Sequence, residues 1–410
     1  RPTIASLATG AGYRTACIGK WHLGLDWPQK AEVHLTGKAT DLERLRAIDY
    51  SAPLLAGPVT LGFERSFILP CTAGYPPYVW IDQDCVVTRP DREAALFQKA
   101  LGPAAPDFRH EDLLTITRDR AVAWLQEQSP GRPFLLYLPL TAPHTPVAPS
   151  AAWQDRAAHP YLAYVQEMDA AIGAVLACLD QRNLAENTLV IFTADNGYAR
   201  EAVDGNGRLA ALGYTGVLGL RGAKGALYEG GTRVPFLARW PGQIAPGGVS
   251  HSLIGLQDVF ATVAELVGAR PATGGEDSHS LLPVLHHVSA VVRTRQITAS
   301  YEGNLALREG DLKLLWSAGS GSWVEPREDT SRKKKMRPPQ LYDLAADPGE
   351  TRNLAQEQPA DMQRLRERLV ADILAGRTTP GPASSNQGQA VWPAVKDLPG
   401  LSDKYSKGTP

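Results

Sequence analysis

Residues 13–24 of the chain, YRTACIGKWHLG, carry a short apolar run that ends in a lysine and a histidine. The run at 15–18 is typical of a buried strand, and the glycines after it predict a loop at the strand's carboxyl end. Lys20 supplies a fixed positive charge, and His22 can move a proton near neutral pH. In an extended chain both side chains face the same way, with Trp21 buried opposite. The pattern predicts either a strand end that belongs to a site or, as the alternative, a packed tryptophan between solvated polar residues.

Strands and helices of the same kind alternate along the rest of the chain. RPFLLYLPL (132–140) and TLVIFTA (188–194) are apolar runs typical of central strands. Between and after them, residues 111–128, 161–184 and 256–268 have the apolar spacing of helices. This alternation predicts an α/β fold: a central mixed, mainly parallel sheet sandwiched by helices.

The character of the sequence changes near residue 287. Short antiparallel strands followed by a helix near 358–375 predict a smaller C-terminal α+β domain with a short antiparallel sheet. We therefore predict a larger α/β domain over 1–287, the α+β subdomain over 288–378 and a tail over 379–410. Residues 26–110, rich in Pro and Gly, are predicted to form an extended excursion over the surface, and 322–339 a polar loop.

Composition excludes several classes of function. Of 410 residues, 42 are Lys or Arg and 43 are Asp or Glu, so bulk electrostatics do not favour nucleic acid as a partner. No uninterrupted apolar run approaches the roughly 20 residues of a membrane span, so no membrane span is expected. The 4 cysteines lack C-x-x-C spacing. Cys71 and Cys85 are compatible with a disulfide and equally with two free thiols.

Polar groups that suit chemistry follow the predicted strands. Asp195 and Asn196 come directly after an apolar strand, and their oxygens suit Ca²⁺ or Mg²⁺, although an Asx turn is the simpler interpretation. His144 stands between prolines in APHTPV, which stiffen the backbone. Lys224 lies in LRGAKGALYEGGTRVP, either an anion-binding loop or a flexible linker. Since ligands of α/β sheets gather at the carboxyl ends of strands, we expect these residues, with Lys20 and His22, around one anionic pocket.

Other catalytic motifs are missing from the sequence. The 9 histidines have no H-x-x-x-H or H-E-x-x-H spacing, which argues against a zinc site. Neither a G-x-S-x-G elbow nor a G-x-x-x-x-G-K-[ST] phosphate loop occurs. The remaining lysines, histidines and oxygen ligands suit the hydrolysis of a tetrahedral oxyanion ester.

Six segments in order resemble the sulfatases of the alkaline-phosphatase-like superfamily. They are AGYRTACIGKWHLG (11–24), PPYVWID (76–82), LPLTAPHTPV (138–147), AENTLVIFTADNG (185–197), LRGAKGALYEGGTRVPFLARWPG (220–242) and QLYDLAADPGETRNLA (340–355). The resemblance implies a sulfuric ester hydrolase of the arylsulfatase type. Its substrate would be a sulfated small molecule or carbohydrate.

The resemblance also implies roles for individual residues. Lys20 and Lys224 match the lysines that hold the sulfate oxygens, and Asp195 with Asn196 matches the second pair of metal ligands. His22 matches the histidine that contacts the formylglycine hydrate. His144 matches the histidine near the leaving oxygen, a candidate for sulfate binding and proton donation. The implied metal is usually calcium, with Mg²⁺ as the alternative.

The sequence departs from the family pattern at the nucleophile. Formylglycine is made from the cysteine or serine of a C-x-P-S-R-type motif by a formylglycine-generating enzyme, and no such motif occurs here. The family's early pair of aspartates, also metal ligands, is absent as well. Because the chain begins at Arg1, both features are expected in a segment before it, and the chain alone is expected to be an inactive, N-terminally truncated fragment. The family's members are often exported, so a periplasmic, extracellular or lysosome-like location is expected.

Two alternatives stay open at the sequence level. One is a phosphodiesterase or phosphonate monoester hydrolase of the same superfamily, which would share the fold and the type of metal ligand. The other is a non-catalytic homologue that binds sulfated glycans. The set of two lysines and two histidines favours sulfate, because dedicated phosphatases tend to use a second metal with more Asp and His ligands.

Overall fold

A computed structural model describes residues 1–32, 39–98, 100–204, 207–214, 216, 218–327, 339–385, 398–399 and 401. Its helices are α1 Ile4–Gly10, α2 Asp41–Arg46, α3 Leu113–Gln126, α4 Pro160–Gln181, α5 Arg200–Val203, α6 Arg208–Ala211, α7 Glu229–Thr232, α8 Asp258–Leu266, α9 Leu282–His286 and α10 Pro359–Ala375. Its strands are β1 Arg14–Lys20, β2 Arg65–Leu69, β3 Ile81–Asp82, β4 Cys85–Val86, β5 Arg92–Ala95, β6 Leu101–Ala104, β7 Phe134–Tyr137, β8 Val190–Thr193, β9 Phe236–Arg239, β10 Arg295–Ala299, β11 Leu305–Glu309, β12 Leu312–Trp316 and β13 Gln340–Asp343.

The chain forms two compact units, one of residues 1–188 with 266–271 and the other of 189–265 with 272–410. The first unit is built on a five-stranded mixed sheet in the order β4-β3-β2-β1-β7. Strand β1 pairs in parallel with both β2 and β7, whereas β3 and β4 are antiparallel. The mixed sheet and the helices confirm the predicted α/β fold. The sequence-based boundary near residue 287 stays a prediction.

The prediction of a surface excursion over 26–110 is wrong. Strand β2 lies within this stretch and pairs with β1, and the segment supplies much of the apolar core of the first unit. Ile68, Tyr78 and Ile81 are almost completely buried there. The Pro- and Gly-rich composition marks tight turns between short core strands, so the lack of a long period was not a sign of exposure.

Helix α4 is long and apolar enough, by length and composition, to cross a membrane. It is the one such helix among the described residues, and core helices of soluble proteins pass the same test. Here α4 packs against α3, burying Tyr161 and Tyr164. The expected absence of a membrane span stays a prediction.

The second unit contains two antiparallel sheets. Strands β8 and β9 form a two-stranded sheet, and β10-β11-β12-β13 form a four-stranded sheet. Helix α10, with Pro359 in its first turn and Gly376 at its C-cap, packs Leu365 and Leu369 on the core of this larger sheet. The predicted antiparallel strands and the helix near 358–375 are confirmed. The lysine run of the 322–339 loop and most of the 379–410 tail lie outside the described residues.

Candidate active site

The end of β1 fixes Lys20 against the end of β7. The Lys20 N–H donates to the Pro139 carbonyl at 2.8 Å, just before the loop that carries His144. Gly19 makes this approach possible, because a Cβ there would lie 2.2 Å from the Pro139 oxygen and its φ is +128°. A glycine is therefore required one residue before the candidate sulfate-binding lysine.

The backbone turns sharply after Lys20. Trp21 is 4% exposed, packs edge-on against Phe63 and donates its indole N–H to the Gly24 carbonyl at 2.7 Å. The predicted burial of Trp21 is thus confirmed. His22, however, is exposed and has a φ of +50°, so the two-residue alternation of an extended chain does not extend to it. The expectation that Lys20 and His22 face the same way cannot be argued from strand geometry.

The loop after β2, residues 70–74, joins these elements into one edge. The His22 N–H donates to the Pro70 carbonyl at 3.2 Å. Thr72, which is buried, places its Oγ1 3.1 Å from Nδ1 of His144. Since β2, β1 and β7 are adjacent parallel strands, the loops at their carboxyl ends meet as the sequence pattern predicts. Lys20, His22 and His144 therefore lie on the same edge of the first unit's sheet.

The contacts of His144 determine its tautomer. Its Nδ1 also lies 2.6 Å from the Thr145 carbonyl oxygen, which can only accept a hydrogen bond. The proton of the neutral ring therefore resides on Nδ1, and Thr72 Oγ1 accepts from the same N–H. Nε2 is then the nitrogen that takes up and releases a proton. This arrangement suits a histidine that, once protonated at Nε2, donates that proton to a leaving oxygen.

Cys71 lies in the same loop but is a poor nucleophile. Burial raises the pKa of its thiol to about 11, and the nearby Lys20 ammonium offsets this only in part. Its Sγ contacts the Tyr75 carbonyl oxygen at 3.2 Å. All four cysteines are free thiols, so Cys71 and Cys85 form no disulfide. At neutral pH Cys71 is a protonated thiol.

The second unit holds Asp195, Asn196 and Lys224. Gly197, directly after the pair, donates to the Gly231 carbonyl at 3.0 Å, and a Cβ at this glycine would lie 1.9 Å from the Gly230 oxygen. The Lys224 N–H donates to the Tyr198 carbonyl at 2.9 Å. The loop after β8 is thereby fastened to the glycine-rich segment, and the Lys224 backbone lies against that of Tyr198, two residues after Asn196.

The glycine-rich segment is a packed structure. Ala223, Ala226, Leu227 and Tyr228 are buried in a cluster with β11, β12 and β13 residues. Its Glu229 accepts a hydrogen bond from the buried Lys313 ammonium, 2.9 Å away. The interpretation of this segment as a flexible linker is therefore wrong, because its backbone is enclosed on several sides.

A buried ion network supports that segment. The Lys313 ammonium also lies 3.1 Å from Glu350, whose other carboxylate oxygen accepts the Glu229 backbone N–H at 2.6 Å. Burial raises the pKa of Glu350, and Lys313 opposes this shift. The network holds the start of α7, next to the Lys224 loop, on the four-stranded sheet.

The donor atoms of Asp195 and Asn196 suit a hard cation. Asn196 Nδ2 donates to the Gly197 carbonyl at 3.0 Å, and its Oδ1 is an oxygen donor one residue along the chain from the Asp195 carboxylate. Carboxylate and amide oxygens are the ligands that Ca²⁺ prefers, though it takes 6–8 of them. Within the described ranges no group of three or more His, Cys, Asp and Glu residues could hold a metal. The pair fits as part of a calcium site.

Sequence reasoning missed Thr72. The stretch LPCTAG drew attention only through its cysteine, although it follows the apolar run RSFIL. A strand signal at RSFIL would have placed Thr72 at a carboxyl strand end, where ligands gather. The expectation that all six predicted residues surround a single pocket stays a prediction.

The mixed sheet, with candidate residues in the loops at its strand ends, defines the class of protein as an α/β protein. A solved structure of a Bacteroides thetaiotaomicron protein, from work on its metabolism of multiple glycosaminoglycans, superposes with a TM-score of 0.74 at 24% identity, covering 90% of this chain and 81% of that one.

Sequence comparison narrows the class to a family. A family model described as Sulfatase matches residues 1–269. Human arylsulfatase A is 33% identical over 408 residues, 94% of this chain and 74% of that protein. The N-acetylgalactosamine-6-O-sulfatase of Bacteroides thetaiotaomicron is 26% identical over 416 residues, 90% of this chain and 76% of that protein. The chain belongs to the sulfatase family.

Proposed function

We propose that this chain supplies the oxyanion-binding and proton-donating residues of a sulfuric ester hydrolase of the arylsulfatase type. The observation that carries the proposal is the meeting of three strand-end loops. They hold Lys20, His22 and His144 on one edge of the mixed sheet, where its parallel strands β2, β1 and β7 end. Such an edge concentrates positive charge and titratable nitrogen where an α/β sheet binds ligands. The sulfated sugar named for one relative supports a sulfated carbohydrate or small molecule as substrate.

Each residue has a role in the proposed reaction. Lys20 and Lys224 bind the sulfate oxygens, and their fixed charges stabilise the negative charge that builds up as the ester bond breaks. His144, with Nδ1 held by Thr72 and Thr145, donates a proton from Nε2 to the leaving oxygen when its ring is in the imidazolium form. His22 acts on the nucleophile side. A calcium ion, with Mg²⁺ as the alternative, would be held by Asp195 and Asn196 and would polarise a sulfate oxygen.

The nucleophile is not provided by this sequence. No cysteine or serine stands in a C-x-P-S-R context, and Cys71 is a half-buried, protonated thiol. We propose that formylglycine belongs to a segment outside these 410 residues, produced there by a formylglycine-generating enzyme, and that the complete protein is exported. The proposal therefore assigns binding, but no turnover, to this chain alone.

Calorimetric titration with inorganic sulfate tests the binding residues. Lys20→Ala, His144→Ala and Lys224→Ala should each weaken sulfate binding about ten- to 150-fold, as expected for loss of one charge-assisted hydrogen bond. Lys30→Ala is the matched control, because Lys30 is an exposed lysine that bonds the Arg46 carbonyl. Equal affinities in all four variants would refute the assignment.

Hydrolysis of 4-nitrophenyl sulfate with calcium present tests the missing nucleophile. The purified chain should release nitrophenol no faster than buffer. Turnover that disappears in Lys20→Ala would show that this chain carries its own nucleophile.

A further inference from the structure

Two exposed aromatic side chains lie beside the Lys224 loop in the second unit. Tyr301 is 74% exposed and Trp323 is 37% exposed, and their rings meet edge to face with centroids 4.7 Å apart. Large aromatic side chains cost free energy when they are left in water, so an exposed pair indicates a binding surface.

The pair packs directly on the residue after Lys224. The Tyr301 N–H donates to the Gly225 carbonyl at 2.9 Å. A Cβ at position 225 would lie 2.9 Å from the Trp323 ring and 3.3 Å from the Tyr301 Cβ. The aromatic surface therefore begins one residue, or about 3.8 Å along the backbone, from the proposed sulfate-binding lysine.

The backbone under both rings is held in place by hydrogen bonds. Glu302 N–H donates to the Gly321 carbonyl at 3.1 Å, and Leu227 N–H donates to the Ser320 carbonyl at 2.9 Å. Gln340 Nε2 donates to the Gly319 carbonyl at 2.9 Å. A surface that is exposed but held by such a network is preorganised for binding.

We propose that Tyr301 and Trp323 form a subsite that stacks on the pyranose ring of a sulfated saccharide. The inference rests on the proposed function, because Lys224 would hold the sulfate of the same molecule. A pyranose presents a face of C–H groups to an aromatic ring and hydroxyl donors at its edge. The exposed carboxylate of Glu302, next to Tyr301 in the chain, is suited to accept from such hydroxyls. A sterol or simple aryl group offers few or no such donors.

Calorimetric titrations of the full chain test the subsite with four probes: inorganic sulfate, galactose 6-sulfate, galactose and 4-nitrophenyl sulfate. Galactose 6-sulfate should bind about two- to tenfold more tightly than inorganic sulfate, the gain expected from one aromatic contact. Tyr301→Ala and Trp323→Ala should remove this gain and leave the affinity for inorganic sulfate unchanged. Val249→Ala, at an apolar position of the same unit that is 71% exposed, is the control and should change nothing.

The outcomes separate the subsite from the proposed function. In one outcome, inorganic sulfate binds and its binding requires Lys224, but wild type and both aromatic variants bind galactose 6-sulfate equally well. This result would overturn the subsite alone. Galactose binding that needs Tyr301, without any binding of inorganic sulfate, would support the subsite and overturn the proposed function. The two aromatic variants could also lose affinity for 4-nitrophenyl sulfate and keep their affinity for galactose 6-sulfate. This result would overturn the saccharide assignment. Tyr301 is so exposed that Tyr301→Ala tests the proposal even where Trp323→Ala impairs folding.

Discussion

At the scale of single residues, the candidate site depends on groups that fix the orientation of others. Thr72 contributes no charge, yet its buried hydroxyl lies 3.1 Å from His144 Nδ1 and helps to fix the tautomer. Gly19 contributes no side chain, yet only glycine permits the contact between β1 and Pro139. The geometry of the candidate site thus depends on residues whose type alone would not mark them as part of it.

Thr72→Val should disturb His144 without disturbing the fold, because valine has nearly the same shape but cannot accept a hydrogen bond. Sulfate affinity should fall about three- to tenfold, the value of one neutral hydrogen bond. In imidazole ¹⁵N spectra the Nε2–H tautomer of neutral His144 should grow. Thr72→Ser keeps the hydroxyl and should behave as wild type; a serine variant as defective as valine would show that Thr72 acts through packing.

Cys71 should react slowly with iodoacetamide. Its pKa of about 11 means that the thiolate, the reactive form, is scarce at pH 7.5 and increases as pH rises toward 11. Peptide mass spectrometry should therefore show the exposed Cys85 alkylated before Cys71 at pH 7.5. Rapid alkylation of Cys71 at neutral pH would contradict the assignment of a protonated thiol.

At the scale of elements, the strand ends position the site and a distant sheet supports it. Loops after β1, β2 and β7 meet because the three strands are parallel neighbours. In the second unit Lys313, on β12, reaches Glu229 at the start of α7. A side chain of the four-stranded antiparallel sheet therefore helps to hold the glycine-rich loop of Lys224.

Lys313→Met should destabilise the second unit by about 3 kcal/mol or more, because it leaves the fully buried Glu350 without its cation. Glu229 still has a cationic partner in this variant, because the Arg308 guanidinium lies 3.7 Å from its carboxylate. Urea denaturation measures the effect, and the double variant Lys313→Met/Glu350→Gln should recover most of the loss. Arg352→Ala, which breaks the exposed pair with Glu357, is the control and should cost less than about 1 kcal/mol.

The same network predicts a pH dependence. Burial raises the pKa of Glu350, so the folded state favours the protonated carboxyl. The favourable contribution of Glu350 protonation to the free energy of unfolding is present at low pH. It is lost as pH rises through the pKa of Glu350 in the folded state. The defect of Lys313→Met should therefore be largest at pH 7 and smaller at pH 5. A defect that grows on acidification would contradict this assignment.

At the scale of the whole molecule, the candidate residues divide between two compact units. Lys20, His22 and His144 belong to the first unit, and Asp195, Asn196 and Lys224 belong to the second. Each unit supplies a cationic group, while the oxygen donors for a metal lie in the second. Neither unit alone contains the full set that the sulfatase resemblance implies.

Calcium should bind this chain weakly. Asp195 and Asn196 give two oxygen ligands from residues, far from the 6–8 that Ca²⁺ takes, so we expect a Kd above about 0.1 mM. Calorimetry at low ionic strength measures this Kd. The variant Asp195→Asn should abolish the remaining calcium binding. Micromolar affinity in the wild-type chain would show that further ligands complete the site.

The sequence predicted the elements with strong local signals. Apolar runs at β7 and β8 and periodic helices at α3, α4 and α10 are visible in a few residues each, because burial and hydrogen bonding within an element leave a repeating pattern. It failed over residues 26–110, where strands such as β3 and β4 are two residues long and carry no period of their own. Their pairing with β2 is decided by contacts distant in the chain.

By itself the sequence determined the family, the α/β class and the residue types that suit a sulfate ester, since charge, glycine and strand-end placement are local properties. Only the tertiary structure decided that Thr72 lies against His144, that the glycine-rich loop is enclosed and that Tyr301 and Trp323 stand beside Lys224. The physical reason is the same in each case: these contacts join residues dozens of positions apart, and the packing of the whole unit brings them together.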